Sequence, residues 1–135
     1  MKALVLDASA ALRAMGSTAA RHALAGYELI APPVFRSEVT SALHEAVWRR
    51  QITEADANAH REALTALAVE ILAPDDLYDV AWTIATDLGL AKTYDAEYLA
   101  LARVRRTRVL TTDARLRRGA ARTGLVIDPS ELEPG

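Results

Sequence analysis

The sequence predicts an α/β domain with a mainly parallel central sheet and helices on both of its faces. Short apolar runs alternate along the chain with longer segments of helical periodicity, an order typical of parallel strands joined by crossover helices. No repeat, low-complexity tract or linker interrupts this order, and 135 residues is an ordinary length for one domain. We therefore expect a single domain over residues 1–135.

The predicted strands are short apolar runs bounded by polar or turn-forming residues. The first run ends at Asp7, and the second precedes Pro32 and Pro33, which favour a helix start. In chain order, the predicted strands are residues 3–6, 28–31, 69–72, 108–111 and 125–127. Ligands of such sheets gather at the carboxyl ends of the strands, so polar residues directly after strands are candidates for a functional site.

The predicted helices are defined by apolar stripes and by residues that favour helix ends. Asp7 or Ser9 can cap the first helix, Gly26 ends the second, and Thr53 is suited to cap the fourth. In chain order, the predicted helices are residues 7–15, 18–25, 34–50, 53–68, 74–89 and 94–105, with a last helix ahead of the final strand.

Composition excludes several classes of chemistry. The chain has no cysteine, which removes disulfides, thiolate nucleophiles and cysteine-ligated metals. Its three histidines form no i, i+4 pair, and its glycines form no dinucleotide-binding or phosphate-binding loop. No apolar run approaches the ~20 residues of a spanning helix. The acid at position 7 interrupts the first run too early for a signal peptide, so we expect a cytoplasmic protein.

Basic residues concentrate in residues 103–122, although the whole chain carries a net charge of −2. This segment holds eight arginines and a single acid, Asp113, which gives it a charge of +7. Such a segment is either a solvated surface or a phosphate-contacting surface beside an acidic centre. The sequence leaves both interpretations open.

Two aspartates follow predicted strands of the same sheet. Asp7 comes directly after the first strand, and Asp113 follows residues 108–111 by one further threonine. Both positions lie at the edge where a parallel sheet presents its ligands, so the two carboxylates can lie side by side. Each aspartate taken alone is also explained as the N-cap of the helix that follows it.

Two further acids lie on predicted helices. Asp95 opens the helix that contains Leu99 and Ala102, and the i, i+4, i+7 spacing puts these three residues on one face. Glu38 flanks the apolar stripe of residues 34–50 and does not lie on the opposite, solvent-facing side. The alternatives are stabilisation of a helix N-terminus by Asp95 and a surface role for Glu38.

A cluster of these acids needs a cation. Unit like charges about 4 Å apart repel by roughly 4 kcal/mol at an effective dielectric near 20. Oxygen ligands without histidine or thiolate select magnesium or manganese over zinc. If the fold brings the acids together, we therefore expect a Mg²⁺ or Mn²⁺ site.

Four fragments of the chain form a recognisable set: Val5-Leu6-Asp7-Ala8-Ser9, Glu38 in the third helix, residues 94–102 and residues 110–116. In their order and spacing these fragments resemble the PIN-domain family, and its VapC branch in particular. The resemblance implies a PIN-like domain that is a magnesium- or manganese-dependent endoribonuclease. It further implies a homodimeric toxin that acts on RNA and is held inactive by a cognate VapB-like antitoxin.

The resemblance also assigns roles to particular residues. By this resemblance, the catalytic acids are Asp7, Glu38, Asp95 and Asp113. The metal ligands among them are Asp7, Asp95 and Asp113, and the supporting polar residues are Ser9 and Thr111. Some relatives carry a fifth acid after the last motif, where this chain has Arg115, Arg117 and Arg118. These arginines are candidates for RNA-backbone contacts, and their presence leaves the number of metal ions open.

Two other classes of protein remain open. A PIN-like domain that binds RNA or protein without cleaving it would give the same fold signals. A receiver-type phosphoacceptor domain also places aspartates at strand ends. The receiver pattern requires an acidic pair after the first strand and a lysine after a late strand. Here Asp7 has no acidic neighbour, and the only lysines are Lys2 and Lys92.

Overall fold

The protein, seen in a computed structural model that describes residues 1–132, contains one five-stranded sheet within that range. The strands are β1 Lys2–Leu6, β2 Tyr27–Ala31, β3 Glu70–Ile71, β4 Val109–Leu110 and β5 Val126–Ile127. All neighbouring strands are parallel, in the order β3-β2-β1-β4-β5. The predicted α/β class is confirmed. The extent of the single domain stays a prediction, and residues 133–135 lie outside the described residues.

Helices connect the strands as the sequence predicts. They are α1 Ala8–Met15, α2 Thr18–Ala23, α3 Val34–Trp48, α4 Glu54–Leu67, α5 Leu77–Leu88, α6 Tyr94–Val104 and α7 Ala114–Gly119. Two short 3-10 helices, Ala121–Thr123 and Pro129–Glu131, lie near the carboxyl end. No helix within residues 1–132 is long and apolar enough to cross a membrane.

Helix α6 runs through the core of the domain. Its seven successive residues 96–102 are all buried, because α5 packs along it and the sheet lies against it. A helix that is apolar on almost every side is stable only in such surroundings. This burial fixes both ends of α6, and with them the position of Asp95 in its first turn.

The strand order places a topological switch point at the centre of the sheet. Chain connections lead from β1 to β2 on one side, whereas β4 lies on the other side of β1. Leu6 is paired with Leu110, so β1 and β4 end at the same level. In parallel sheets, the crevice at such a point is where ligands bind. Asp7 and Thr111, the residues that follow the two strands, therefore lie next to each other.

Some element boundaries differ from the predicted ones. Strands β3, β4 and β5 have two residues each instead of three or four, because only that part of each apolar run joins the sheet ladder. Helix α3 ends at Trp48, two residues before the predicted end, and Arg50 adopts a left-handed conformation with φ of 58°. The 3-10 helix Pro129–Glu131 was not predicted; the side chain of Asp128 caps it.

Candidate acidic site

A set of hydrogen bonds ties the ends of β1 and β4 together. The Ser9 hydroxyl donates to Asp7 Oδ1 at 2.7 Å and lies 3.1 Å from Thr111 Oγ1. The backbone N–H of Thr112 donates to Ser9 Oγ at 3.0 Å. We call the Ser9–Thr111 contact the hydroxyl clasp. Because Thr111 is only 1% exposed and Ser9 is half-buried, the clasp is shielded from competition by water.

Asp7 is a buried carboxylate, 5% exposed, that also caps α1. Its Oδ1 accepts the backbone N–H of Ala10 at 2.9 Å. Burial raises the pKa of Asp7 above its ordinary value, and the charge of Asp113 adds to this effect. Hydrogen bonds from Thr111, Ala10 and Ser9 lower the pKa of Asp7 but do not cancel the effect of burial.

Asp113 is linked to the same clasp. Its backbone N–H donates to Thr111 Oγ1 at 3.0 Å, and its Oδ1 caps α7 by accepting the N–H groups of Arg115 and Leu116 at 2.9 and 3.4 Å. Within residues 1–132, Oδ2 of Asp113 receives no hydrogen bond. The cap interpretation of Asp7 and Asp113 is therefore correct, and it is compatible with their presence in one site.

Asp95 faces the same region from the first turn of α6. It is half-buried and has no hydrogen-bond partner among the described residues, and the helix cap itself is Thr93. Burial raises the pKa of Asp95, the charge of Asp113 raises it further, and Arg115 lowers it. Asp113 and Arg115 are therefore within electrostatic reach of Asp95.

Glu38, on α3, is connected to this region by a hydrogen bond from a tyrosine. The hydroxyl of Tyr98, a residue of α6, donates to Glu38 Oε1 at 2.5 Å. Burial raises the pKa of Tyr98, as do the hydrogen bond to Glu38 and the charges of Glu38, Asp7 and Asp95. The Tyr98 hydroxyl is thus within electrostatic reach of three of the four predicted acids.

Glu97 is a buried acid that sequence reasoning missed. It is 6% exposed, and its Oε2 accepts a long hydrogen bond of 3.4 Å from Thr93 Oγ1. Burial raises the pKa of Glu97, and the charge of Glu38 adds to this effect. The sequence did hold a signal for this burial. Glu97 directly precedes the uninterrupted apolar run 98–102, and a helix that is apolar on all sides is typically buried on all sides.

The three candidate arginines differ in their surroundings. Arg117 forms ion pairs with Asp128 at 2.5 Å and Glu131 at 3.0 Å, which attach α7 to the last 3-10 helix. Arg115 is exposed and lies close enough to Asp95 to affect its pKa. Arg118 is exposed. Sequence reasoning also missed Arg13, an exposed residue that lines a cleft of about 500 Å³ beside Asp113.

The donor set suits a hard divalent cation, although the carboxylates do not surround a common point. Within residues 1–132, no three acids or histidines are grouped closely enough to hold one ion. The raised pKa values of Asp7 and Asp95 reflect burial and like charge that a cation would relieve. Among the described residues, Asp95 and Oδ2 of Asp113 have no hydrogen-bond donor that an ion would have to displace.

These features define a class of protein, a parallel α/β domain with an acidic centre at the switch point of its sheet. The family model described as PIN domain matches residues 4–121. Two relatives are each 33% identical to this chain over 114 residues. They are Ribonuclease VapC9 of Mycobacterium tuberculosis (strain ATCC 25618 / H37Rv) and VapC ribonuclease Mb0985 of Mycobacterium bovis. These matches cover 84% of this chain and 87% of each relative. The chain belongs to the PIN-domain family, on its VapC branch.

Solved structures agree with this assignment at the level of the fold. PAE2754 from Pyrobaculum aerophilum superimposes with a TM-score of 0.75 at 22% identity, over 97% of this chain and 86% of that one. A toxin-antitoxin complex from Klebsiella pneumoniae contains a chain that superimposes with a TM-score of 0.65 at 17% identity, over 93% of this chain and 97% of that one.

The buried carboxylate of Asp7 should make the metal-free protein less stable as the pH rises. Its pKa is raised in the folded state, so its contribution to stability is present at low pH and is lost as the pH rises through the folded-state pKa. We expect Asp7→Asn, which keeps the cap acceptor, to unfold at higher urea concentration than the wild type at neutral pH. The advantage should shrink towards about pH 4.

Urea denaturation in a chelator at several pH values measures this effect. Asp79→Asn, which removes an exposed acid in the first turn of α5, is the matched control for the loss of one negative charge. An Asp7→Asn variant that is less stable than the wild type at every pH would contradict the prediction.

Proposed function

We propose that the chain is a Mg²⁺- or Mn²⁺-dependent endoribonuclease and the toxin of a VapBC-like toxin–antitoxin module. The observation that carries the proposal is that Asp7, at the end of β1, and Asp95, at the start of α6, both lie within electrostatic reach of Asp113, which follows β4. The relatives in M. tuberculosis and M. bovis are named as VapC ribonucleases, which supports RNA as the substrate. We expect the enzyme to act in the cytoplasm.

In this proposal Asp7, Asp95 and Asp113 hold the ion, and Glu38 completes the catalytic set. An ion held there would supply charge neutralisation and Lewis-acid polarisation of the phosphodiester. The hydroxyl clasp holds Asp7 and Asp113 in fixed relation. Oε1 of Glu38 is occupied by Tyr98, so its Oε2, which receives no hydrogen bond within residues 1–132, is the atom that accepts a proton from the attacking water.

The substrate should be a single-stranded or looped RNA. Asp7 is 5% exposed and Asp95 is half-buried, so a phosphate must enter a recess to meet them. A base-paired, stacked duplex is too stiff to bring a phosphate into such a recess, whereas a flexible single strand can enter it. Exposed Arg115 is within electrostatic reach of Asp95, and exposed Arg13 lines the cleft beside Asp113, so both can contact flanking phosphates.

Replacing any one of Asp7, Asp95 and Asp113 by Asn should lower kcat/KM for RNA cleavage by about 100-fold or more, because an amide holds a divalent ion poorly. Ser9→Ala should lower it by about tenfold, since the clasp only orients the carboxylates. Cleavage of a labelled RNA by protein purified free of host nucleases, with Mg²⁺, Mn²⁺ or chelator, measures both effects.

Asp79→Asn is the control in the same assay, because Asp79 lies on the exposed side of α5. Cleavage that persists in the chelator, or in all three Asn variants, would contradict the proposed function. Binding of RNA without cleavage by the wild-type protein would instead support an inert PIN-like module.

The arginines should contribute unequally to RNA binding. Arg115 is within electrostatic reach of Asp95 and has no carboxylate ion pair among the described residues, whereas Arg117 forms ion pairs with Asp128 and Glu131. Arg115→Ala should therefore weaken RNA binding and reduce the salt dependence of log K by about 0.7, the value of one single-strand phosphate contact. Arg117→Ala should leave both quantities nearly unchanged.

Binding is measured at several salt concentrations in the Asp113→Asn background, which prevents cleavage. Arg118→Ala and Arg13→Ala complete the series. Equal losses for Arg115→Ala and Arg117→Ala would show that the ion pairs of Arg117 do not remove it from RNA contact. No loss in any of the four variants would assign residues 103–122 to a solvated surface.

The antitoxin partner is supported by a groove between α3 and α4. The groove has a volume of about 750 Å³, and its walls include Val39, Leu43, Leu64 and the 80% exposed Trp48. None of the side chains of α4 is fully buried, so α4 leaves apolar surface uncovered. A groove of this kind accepts the apolar face of an amphipathic helix. We propose that the antitoxin docks here.

A second exposed aromatic surface lies on α5 and supports the proposed homodimer. Tyr78 is 56% and Trp82 is 71% exposed, and the two are one turn apart on the same helix face. Paired aromatic side chains of this kind are enriched at protein interfaces. We propose that this α5 face meets its counterpart on a second copy of the chain.

Trp48→Ala and Trp82→Ala should have separate effects. Trp48→Ala should weaken antitoxin binding by about tenfold or more and leave the molecular mass unchanged, because it truncates only the groove. Trp82→Ala should shift the mass measured by light scattering towards that of one chain and leave antitoxin affinity unchanged. Each variant is thus the control for the other. A wild-type protein that is strictly monomeric would contradict the dimer, and unaltered antitoxin affinity in Trp48→Ala would contradict the docking groove.

A further inference from the structure

Tyr98 is a fully buried tyrosine whose hydroxyl has a single hydrogen-bond acceptor within residues 1–132. It is 1% exposed, and its ring lies in the core beneath the sheet, among the buried residues of α6. The hydroxyl donates to Glu38 Oε1 at 2.5 Å, across 60 positions of the sequence. A phenylalanine would fill the same core volume without placing a hydroxyl in an apolar interior, where an unpaired hydroxyl is costly. Packing alone therefore does not account for the hydroxyl.

The side chain of Glu38 depends on this one bond. Within the described residues, Glu38 has no other hydrogen bond and no ion pair. It is half-buried on the shoulder of α3, and a glutamate side chain that is not anchored samples several rotamers. A hydrogen bond to an ionised acceptor is short and strong, which is sufficient to select one of these rotamers.

The bond also connects two elements of unequal rigidity. Tyr98 belongs to α6, whose residues 96–102 are all buried, whereas α3 buries only Phe35, Val39 and Leu43 and has no side-chain N-cap bond. The hydrogen bond from Tyr98 therefore anchors the Glu38 carboxylate, on the more exposed helix α3, to the buried helix α6.

We propose that Tyr98 is a positioning residue, which holds Glu38 in the orientation that its catalytic role requires. The inference rests on the proposed nuclease function. In the free protein Glu38 Oε1 stays bound to Tyr98, and Oε2 receives no hydrogen bond from any described residue, so it is the oxygen left available for the reaction. Tyr98 does not touch the substrate; its effect on the reaction passes through Glu38.

The first test is Tyr98→Phe, which removes one oxygen atom and keeps the core filled. We expect kcat to fall by about tenfold, with KM changed by less than about twofold, because the RNA contacts remain while the carboxylate is no longer fixed. Circular dichroism and thermal unfolding should show a folded protein. The matched control is Tyr27→Phe, which removes a phenolic oxygen at the amino end of β2, opposite the strand ends that carry the acidic site, and should leave kcat unchanged.

The second test is a double-mutant cycle with Glu38→Asp, whose carboxylate is one methylene shorter and cannot accept the same bond. If Tyr98 acts through Glu38, adding Tyr98→Phe to Glu38→Asp should slow single-turnover cleavage by less than about twofold further. Independent losses that multiply would overturn the inference, as would a Tyr98→Phe variant with wild-type kcat. A wild-type protein that cuts no RNA would refute the proposed function and this inference together, whereas an active wild type with an equally active Tyr98→Phe would refute the inference alone.

Discussion

The contact between the hydroxyls of Ser9 and Thr111 is the interaction on which the acidic centre depends. It joins the ends of two strands that are 102 positions apart in the sequence, and it lies on the boundary between the two halves of the sheet. Asp7 is hydrogen-bonded to one hydroxyl, and the backbone of Asp113 to the other. The pairing of β1 with β4 brings the two helix starts together, and the clasp adds the side-chain contact that links the two capping aspartates to each other.

The ion site that we propose would combine two requirements that oppose each other. Capping needs a carboxylate oxygen close to backbone N–H groups, whereas ion binding needs an oxygen directed away from them. Asp113 meets the capping requirement with Oδ1 and leaves Oδ2 without a hydrogen bond among the described residues. The cost is electrostatic, because Asp7, Asp95 and Glu97 are removed from water near other acids and their pKa values are raised. A fold that keeps these acids must compensate with a large apolar core, which α6 provides.

The sequence predicted the fold class and the neighbouring positions of Asp7 and Asp113, because alternating strands and helices leave few topologies open. It did not predict Tyr98 as a hydrogen-bond donor, since a tyrosine in an apolar helical run is indistinguishable from a packing residue until its partner on another helix is known. It did not separate Arg115 from Arg117 either. Their difference depends on the 3-10 helix Pro129–Glu131, which brings two acids to Arg117. Contacts between distant segments carry this information, and local patterns do not.

The continuous burial of residues 96–102 has a consequence for how this protein can fluctuate. Local opening occurs mainly in segments that bury few side chains. Hydrogen exchange of backbone amides with solvent detects such openings. Helix α6 cannot detach, rotate or slide by one turn without exposing the centre of the core, so its amides should exchange only through global unfolding. Asp95 and Tyr98 are carried by that same helix. The part of the acidic centre that these two residues form should therefore remain in place while less buried elements, such as α3, open locally.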